Sequence, residues 1–312
     1  MKEFIIGRND AGQRLDRFVS KAAPLIPESL LQKTLRKKDI KINGRPAKGE
    51  TRLAEGDTVR VYLPDEFFEA PREENAWRKI TAPRLDIVYE DENILLVDKK
   101  PGVLCHSAGE WSWNTLIANI QAYLRAKGEW DPARENSFAP ALCNRIDRNT
   151  GGIVIAAKNA EALRIMDEKV KNREIEKIYL AAVVGTPRPA AGRLEGYLFK
   201  DAKNNQVYVY DAPRTGAKTA VTEYKTIASD GRLTLVECRL ITGRTHQIRV
   251  HMAHLGHPVA GDDLYGGHLD RTEHQMLCCR AVHLLCPALD IDKTVETDFS
   301  AEQKACFPEL FQ

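Results

Sequence analysis

Residues 144–152 read NRIDRNTGG, with Asp147 set between Arg145 and Arg148 and the apolar run IVIAA directly after. Guanidinium groups beside a carboxylate favour its charged form, even where burial opposes it. An acid kept ionised in a water-poor cleft serves as a nucleophile or as the stabiliser of a developing cation. The same letters also spell a turn, because Asp and Asn start turns and glycine tolerates the backbone angles turns require. Alone, the stretch leaves both readings open.

A second dense stretch, RLITGRTHQIRVHMAHLGHPVAGDDLYG, covers residues 239–266. In it Arg244 and Arg249 bracket His246 and Gln247, and His251, His254 and His257 follow. On a helix His246 and His257 lie about 16 Å apart at the usual rise. That is too far to share one ion, and His251 with His254 supplies only two ligands where a site needs more. No metal is expected, and capping, packing and RNA contact are the roles left. Asp262 and Asp263 stand side by side in a glycine-bounded loop, where neighbours point apart, so the pair reads as turn chemistry. Tyr179, in EKIYLAAVVG, has the apolar neighbours of a core strand residue.

Elements must hold these groups. GIVIAAKN, EKIYLAAVVG, NQVYVYD, AVTEYKTIA, RLTLVECRLI and RAVHLLC read as strands, and LDIVYEDENILLVDKK as two strands joined by the EDEN turn. AEALRIMDEKVKN has helical spacing at Leu163, Met166 and Val170, and THQIRVHMAHLG suits a helix ended by Gly256. Strands and helices do not alternate, which predicts an α+β fold with a mixed, mostly antiparallel sheet. Residues 12–63 read as a separate compact unit. Leu15, Phe18, Val19 and Ala22 share one helical face, and Leu30, Leu31 and Leu35 form the stripe of a second helix that begins after Pro27. Two short strands with an Asn43-Gly44 turn follow. Lys33, Arg36, Lys37 and Lys38 cluster at the end of the second helix, where cations also complement the helix dipole.

Bulk composition narrows the class. The chain has 312 residues, 43% hydrophobic and 29% charged, as in an ordinary globular protein of about two domains. No apolar run approaches the roughly 20 residues of a membrane helix, and the start lacks the features of a signal peptide. The seven cysteines form no Cys-x-x-Cys pair, so reduced, buried thiols are expected. A cytoplasmic location follows as an expectation, and a monomer is the default with no motif behind it. Residues 1–63 hold 14 Lys and Arg against 8 Asp and Glu, a surplus of +6, while the remainder holds 32 against 36. A basic unit of that kind commonly meets a polyanion.

In order along the chain, DKKPGV, NRIDRNTGGIVIAAK, EKIYLAAVVG and the 239–266 stretch resemble the ribosomal large-subunit type of RNA pseudouridine synthase, over roughly residues 83–290. The basic N-terminal stretch resembles the alpha-L RNA-binding module that accompanies such catalytic domains. The resemblance implies an RNA-binding module over 1–64, a linker over 65–80 and a catalytic domain over 81–312 with a central cleft. It implies that Asp147 is the nucleophile, that Tyr179 stacks on the target base and is a candidate general base, and that Arg249 pairs with the aspartate. Arg145 would enter the RNA where the base has left. Arg148, Arg244, His246, Gln247, Lys33, Arg36, Lys37 and Lys38 are expected RNA contacts. Two positions depart from the family pattern: Asn144 replaces the usual histidine, and Pro101 sits one place late.

The implied reaction turns a uridine into its C-glycoside isomer with no group gained or lost, so neither cofactor nor metal is expected. Ribosomal RNA of the large subunit is the first expectation for substrate and transfer RNA the second. Two rival readings remain: a non-catalytic RNA-binding or ribosome-assembly factor on the same fold, and a glycosidase or nucleosidase with paired carboxylates.

Overall fold

The computed structural model describes residues 1–69, 72–109 and 112–311, and its strands fall into two sheets. The first contains β1 (Lys2–Ile5), β2 (Ile40–Ile42), β3 (Arg45–Pro46) and β4 (Thr58–Val61), in the order β1-β4-β2-β3, with α1 (Leu15–Ala22) and α2 (Glu28–Arg36). The four apolar residues of α1 are buried, as their spacing predicts, and so is Leu31 of α2, while Leu30 and Leu35 are half-buried. Asn43 and Gly44 both have positive φ (49° and 79°), the hairpin turn their identities predict. These elements close their own apolar cluster, from Phe4 to Leu63.

The second sheet has eleven strands. In chain order its unit runs β5 (Ile87–Glu90), β6 (Ile94–Lys99), α3 (Leu116–Ala126), β7 (Ala141–Leu142), β8 (Gly151–Ala157), α4 (Ala160–Asn172) and β9 (Glu176–Val184). Then come β10 (Ala191–Asp201), β11 (Gln206–Tyr210), β12 (Lys218–Ser229), β13 (Leu233–Leu240), α5 (Gln247–His254), β14 (Leu277–Cys286), β15 (Ile291–Glu296) and α6 (Ala301–Cys306). The sheet order is β11-β10-β12-β13-β9-β14-β8-β6-β5, with β15 on β14 and β7 on β8. Among the described residues only β14 and β8 pair in parallel, so the sheet is mixed and mostly antiparallel, as expected. Residues 94–97 of β6 and the whole of β8 are apolar without alternation because both faces are covered; every residue of β8 is buried.

The parallel pair explains the second glycine of the motif. Gly152 has φ +105°, and a Cβ there would lie 2.3 Å from the Cys279 carbonyl oxygen. Only glycine lets β14 come this close.

Six elements escape the sequence reading: β1, α3, β7, β10, β15 and α6. The helix α3 opens on Thr115, whose hydroxyl accepts the Ala118 N–H at 3.3 Å, and β10 lies toward the edge of the sheet with a largely exposed face. The stretch read as a linker differs as well. Its Phe67 and Phe68 pack on the N-terminal cluster, and Trp77 is buried edge-on against Trp130 at 5.5 Å. Arg125 lies 4.9 Å from the Trp77 ring. Aromatic side chains anchor this segment at both ends, although its proline and acids suggest free chain; residues 70 and 71 lie outside the described residues. Among the described residues no helix is long and apolar enough to cross a membrane.

A polar cluster ties α3 to the sheet. Glu90, at the end of β5, accepts hydrogen bonds from Lys127 Nζ (2.8 Å), Lys158 Nζ (2.9 Å) and the Tyr123 hydroxyl (2.8 Å). Burial alone pushes this carboxyl up, but the two ammonium groups and the phenol outweigh it and hold its pKa at about 2. The folded pKa thus lies below the unfolded value of about 4.3. The stabilisation is complete above that value and is lost as pH falls toward 2. In urea titrations from pH 6 to 2, wild-type stability should therefore fall more steeply than that of Glu90→Gln. Parallel profiles would refute the assignment.

Candidate active site

A cleft of about 590 Å³ opens beside the middle strands of the large sheet. Its walls carry Asp147 and Arg145 from the β7–β8 loop, Tyr179 from β9, Arg244 and His246 from the β13–α5 loop, and Arg249 from α5. Residues far apart in the chain meet because β9 lies between β13 and β14, and β14 lies against β8.

Asp147 stands at the exit from β7. Just before it, Asn144 Oδ1 accepts the Ile155 N–H at 2.8 Å and stitches the entering chain to β8. This is the position where the family pattern has histidine, and here the side chain serves the backbone. Just after it, the Asp147 carbonyl accepts the Thr150 N–H at 3.1 Å, and the buried Thr150 hydroxyl accepts Gln275 Nε2 at 2.7 Å. The loop is therefore a turn as well as a site, and the two readings of its letters are compatible.

Below the loop lies Lys99, which the sequence reading did not single out. It is 1% exposed, and its Nζ donates to the carbonyls of Lys100 (2.9 Å), Val103 (3.0 Å) and Arg148 (2.9 Å). Burial lowers its pKa to about 8. One ammonium thus clamps the Pro101-Gly102 turn to the loop that carries Asp147. A lysine closing a strand that opens on four buried apolar residues is the signal that could have revealed it.

Arg249 is 7% exposed although charged. Its Nη1 donates to Asp147 Oδ2 at 3.2 Å, while Nε and Nη2 donate to Asp262 Oδ2 (2.6 Å) and Oδ1 (2.8 Å). Such a two-pronged contact fixes the plane of the guanidinium. Tyr265 lies 5.0 Å below it. Asp262 is therefore more than a turn residue, which corrects the sequence reading. It is 1% exposed and accepts both prongs, whereas Asp263 faces outward to His268. The glycines decide which acid turns in. A Cβ at Gly267 would lie 1.8 Å from the Val259 carbonyl oxygen, and one at Gly261 would lie 2.6 Å from that of His274.

His246 begins α5 in a left-handed conformation, φ 54°. Its Nδ1 lies 2.8 Å from the Tyr265 hydroxyl, which already accepts the Val207 N–H at 2.9 Å. The arrangement that satisfies all three has the tyrosine donating to Nδ1, which leaves the imidazole proton on Nε2, 3.8 Å from Asp147. Burial lowers the pKa of His246, as does Arg249, against the pull of Asp147 and Asp262. Tyr179 is buried at the cleft wall, and burial drives its pKa well above the ordinary phenol value.

The remaining expected contacts divide. Arg145 is exposed on the cleft and forms no ion pair among the described residues. Arg244 lines the cleft while its Nε donates to the Thr219 carbonyl at 3.1 Å. Arg148 does not line the cleft; its Nε donates to the Gly102 carbonyl at 3.1 Å. Gln247, expected as an RNA contact, is instead enclosed. Its oxygen accepts the Thr242 hydroxyl and the Arg244 N–H, and its nitrogen donates to Val221 and Thr222, so every polar group is spent on shaping the 242–247 loop. Lys33, Arg36, Lys37 and Lys38 are exposed at the end of α2, outside the cleft. His251, His254 and His257 bond Thr222, Asp211 and the Val184 carbonyl respectively, and so diverge. Among the described residues no group of three or more His, Cys, Asp or Glu could hold a metal ion.

The family model described as RNA pseudouridylate synthase matches residues 93–254. The chain is 32% identical over 261 residues to a Chlorobaculum parvum protein described as an uncharacterized RNA pseudouridine synthase, covering 83% of this chain and 77% of that one. It is 33% identical over 270 residues to ribosomal large subunit pseudouridine synthase C of Escherichia coli K12, covering 85% of this chain and 80% of the relative. Among solved structures, human RNA pseudouridylate synthase domain containing 4 shares the fold with a TM-score of 0.60 at 20% identity, over 75% of this chain and 97% of that one.

The two adjacent lysines supply a test of the loop clamp. Lys99→Met leaves three carbonyls without their donor and should cost at least about 2 kcal/mol of unfolding free energy. Lys100 pairs with Asp86 and Asp98 at the surface, so Lys100→Met should cost less than about 1 kcal/mol. Equal losses in urea unfolding would contradict the clamp.

Proposed function

Because the chain belongs to the RNA pseudouridylate synthase family, we propose that it isomerises particular uridines of large-subunit ribosomal RNA, with Asp147 as nucleophile on a flipped-out nucleotide. The N1–C1′ bond breaks, the detached uracil turns within the cleft, and C5 bonds to C1′ as its proton leaves to solvent and N1 regains one. Positive charge grows at the sugar as the first bond breaks, as it does in glycoside hydrolysis, and a carboxylate beside it stabilises or captures that centre. The observation that carries the reading is the Arg249 guanidinium, held by buried Asp262 and pointing one N–H at Asp147. It offers a half-buried carboxylate a fixed counter-charge and leaves part of that carboxylate open to a substrate.

Tyr179 fits a stacking surface for the uracil. Its raised pKa keeps it a phenol, which speaks for stacking and against proton removal in the resting site. Extruding a uridine from its stack costs a few kcal/mol, less from a loop. Arg145, exposed at the cleft, has the flat cationic group to fill the vacancy and offset part of that cost.

The hydrolase alternative needs two carboxylates facing one bond. Asp262 is the second acid near Asp147, but both its oxygens are occupied and it is sealed from solvent, which disfavours that reading. An assembly factor without activity would not need a buried arginine aimed at an open acid. Large-subunit ribosomal RNA is preferred over transfer RNA because the Escherichia coli relative, 33% identical, is named for that substrate.

Tritium release from C5-labelled uridine in a large-subunit ribosomal RNA transcript tests both parts. Wild type should release tritium and Asp147→Asn should lose on the order of 10⁴-fold or more in rate. A fully active Asp147→Asn would remove the nucleophile assignment. If a strain lacking the gene lost pseudouridine only from transfer RNA, the substrate would be reassigned.

A further inference from the structure

The two sheets are joined in a way the catalytic reading does not use. Their apolar clusters share no residue: one ends at Leu63 with Phe67 and Phe68 packed on it, and the other begins at Trp77. Contact between the units runs through polar groups of residues 5–13 and 135–164. At its centre Asp10 is 2% exposed, and its two oxygens accept the Ser137 hydroxyl at 2.6 Å and Asn136 Nδ2 at 2.8 Å. Around it, Asn136 Nδ2 donates also to the Ile5 carbonyl at 2.7 Å, and Gln13 Nε2 to the Ser137 hydroxyl at 2.9 Å. Asn9 reaches further. Its Nδ2 donates to Glu135 at 2.8 Å, and its oxygen accepts the N–H of Ala160, the first residue of α4, at 3.1 Å.

We propose that Asp10 is a positioning residue: with Ser137 and Asn136 it docks the basic N-terminal unit on the catalytic unit, so that α2 and the cleft face one RNA in a preset geometry. The kinetic part rests on the RNA-isomerase reading; the docking itself does not. A buried carboxylate is tolerated only while its hydrogen bonds are made, so this contact defines one docked arrangement rather than a range. An interface without apolar contact between clusters also opens more readily than a greasy one. Once docked, Lys33, Arg36, Lys37 and Lys38 are carried at a set place relative to Asp147. RNA that meets both surfaces then loses less freedom on binding than it would with a swinging unit.

The test uses the full chain with Asp10→Ala, Ser137→Ala, Asn136→Ala and Ser137→Thr. Small-angle X-ray scattering reads docking without RNA, and tritium release from the C5-labelled large-subunit transcript reads kcat and KM. Expected are a larger radius of gyration for the three alanine variants, wild-type dimensions for Ser137→Thr, and KM raised about tenfold with kcat unchanged. Should Asp10→Ala fail to fold, the Ser137 and Asn136 variants load the same contact from the other side. Wild-type dimensions in all variants would overturn the docking. Expansion with unchanged KM, or a fall in kcat at unchanged KM, would overturn the positioning role. A wild type that releases no tritium would sink the substrate reading instead, and the scattering result alone would then support or overturn the docking.

Discussion

One guanidinium organises the site. Arg249 is buried between two carboxylates, a cost in desolvation that only close, well-directed hydrogen bonds can offset. Asp262 takes two of its prongs and leaves a third for Asp147. The asymmetry gives the acids different parts. Asp262 is sealed and saturated; Asp147, with 27% of its side chain exposed, keeps a face toward the cleft. A carboxylate that meets a growing positive charge must already be in place, and a fixed cation behind it holds it there without reorganisation at the moment of reaction.

The rest of the catalytic unit holds that geometry. Gly152 lets β14 come against β8, which brings Tyr179 on β9 beside the Asp147 loop. Lys99 clamps the same loop from beneath through three carbonyls. Gln247, with its amide satisfied on both ends, shapes the turn that carries His246 and leads into the helix that carries Arg249. None of these three groups needs to touch RNA, yet each sets the position of one that lines the cleft. Rigid support of this kind is what a site requires when small displacements cost rate.

Much of this was legible in the sequence. The apolar runs of β8 and β9 announced buried strands, the Leu163, Met166 and Val170 spacing announced α4, and the order of four motifs pointed to the family. What stayed hidden depended on contacts distant in sequence. Nothing in GDDLYGG says which aspartate turns inward; the approach of Gly261 and Gly267 to His274 and Val259 decides it. Gln247 is expected as an RNA contact by resemblance alone, and its burial follows from the pairing of β12 with β13 beside it. The helix α3 escapes the sequence although Thr115 caps it, and β10 escapes it because Gly192 and Gly196 interrupt the face that Leu194 and Leu198 share. The segment over 65–80 had the composition of a free linker, and the docking of Trp77 on Trp130 could not be read from composition.

In the proposed reaction Asp262 acts only by holding Arg249. A double-mutant cycle on single-turnover tritium release, with Asp262→Asn, Arg249→Lys and the two combined, tests it most directly. Each single change should slow the step, on the order of 100-fold, and the combination should be no slower than the worse single variant. Losses that multiply in the double variant, or an Asp262→Asn enzyme at full rate, would contradict the account.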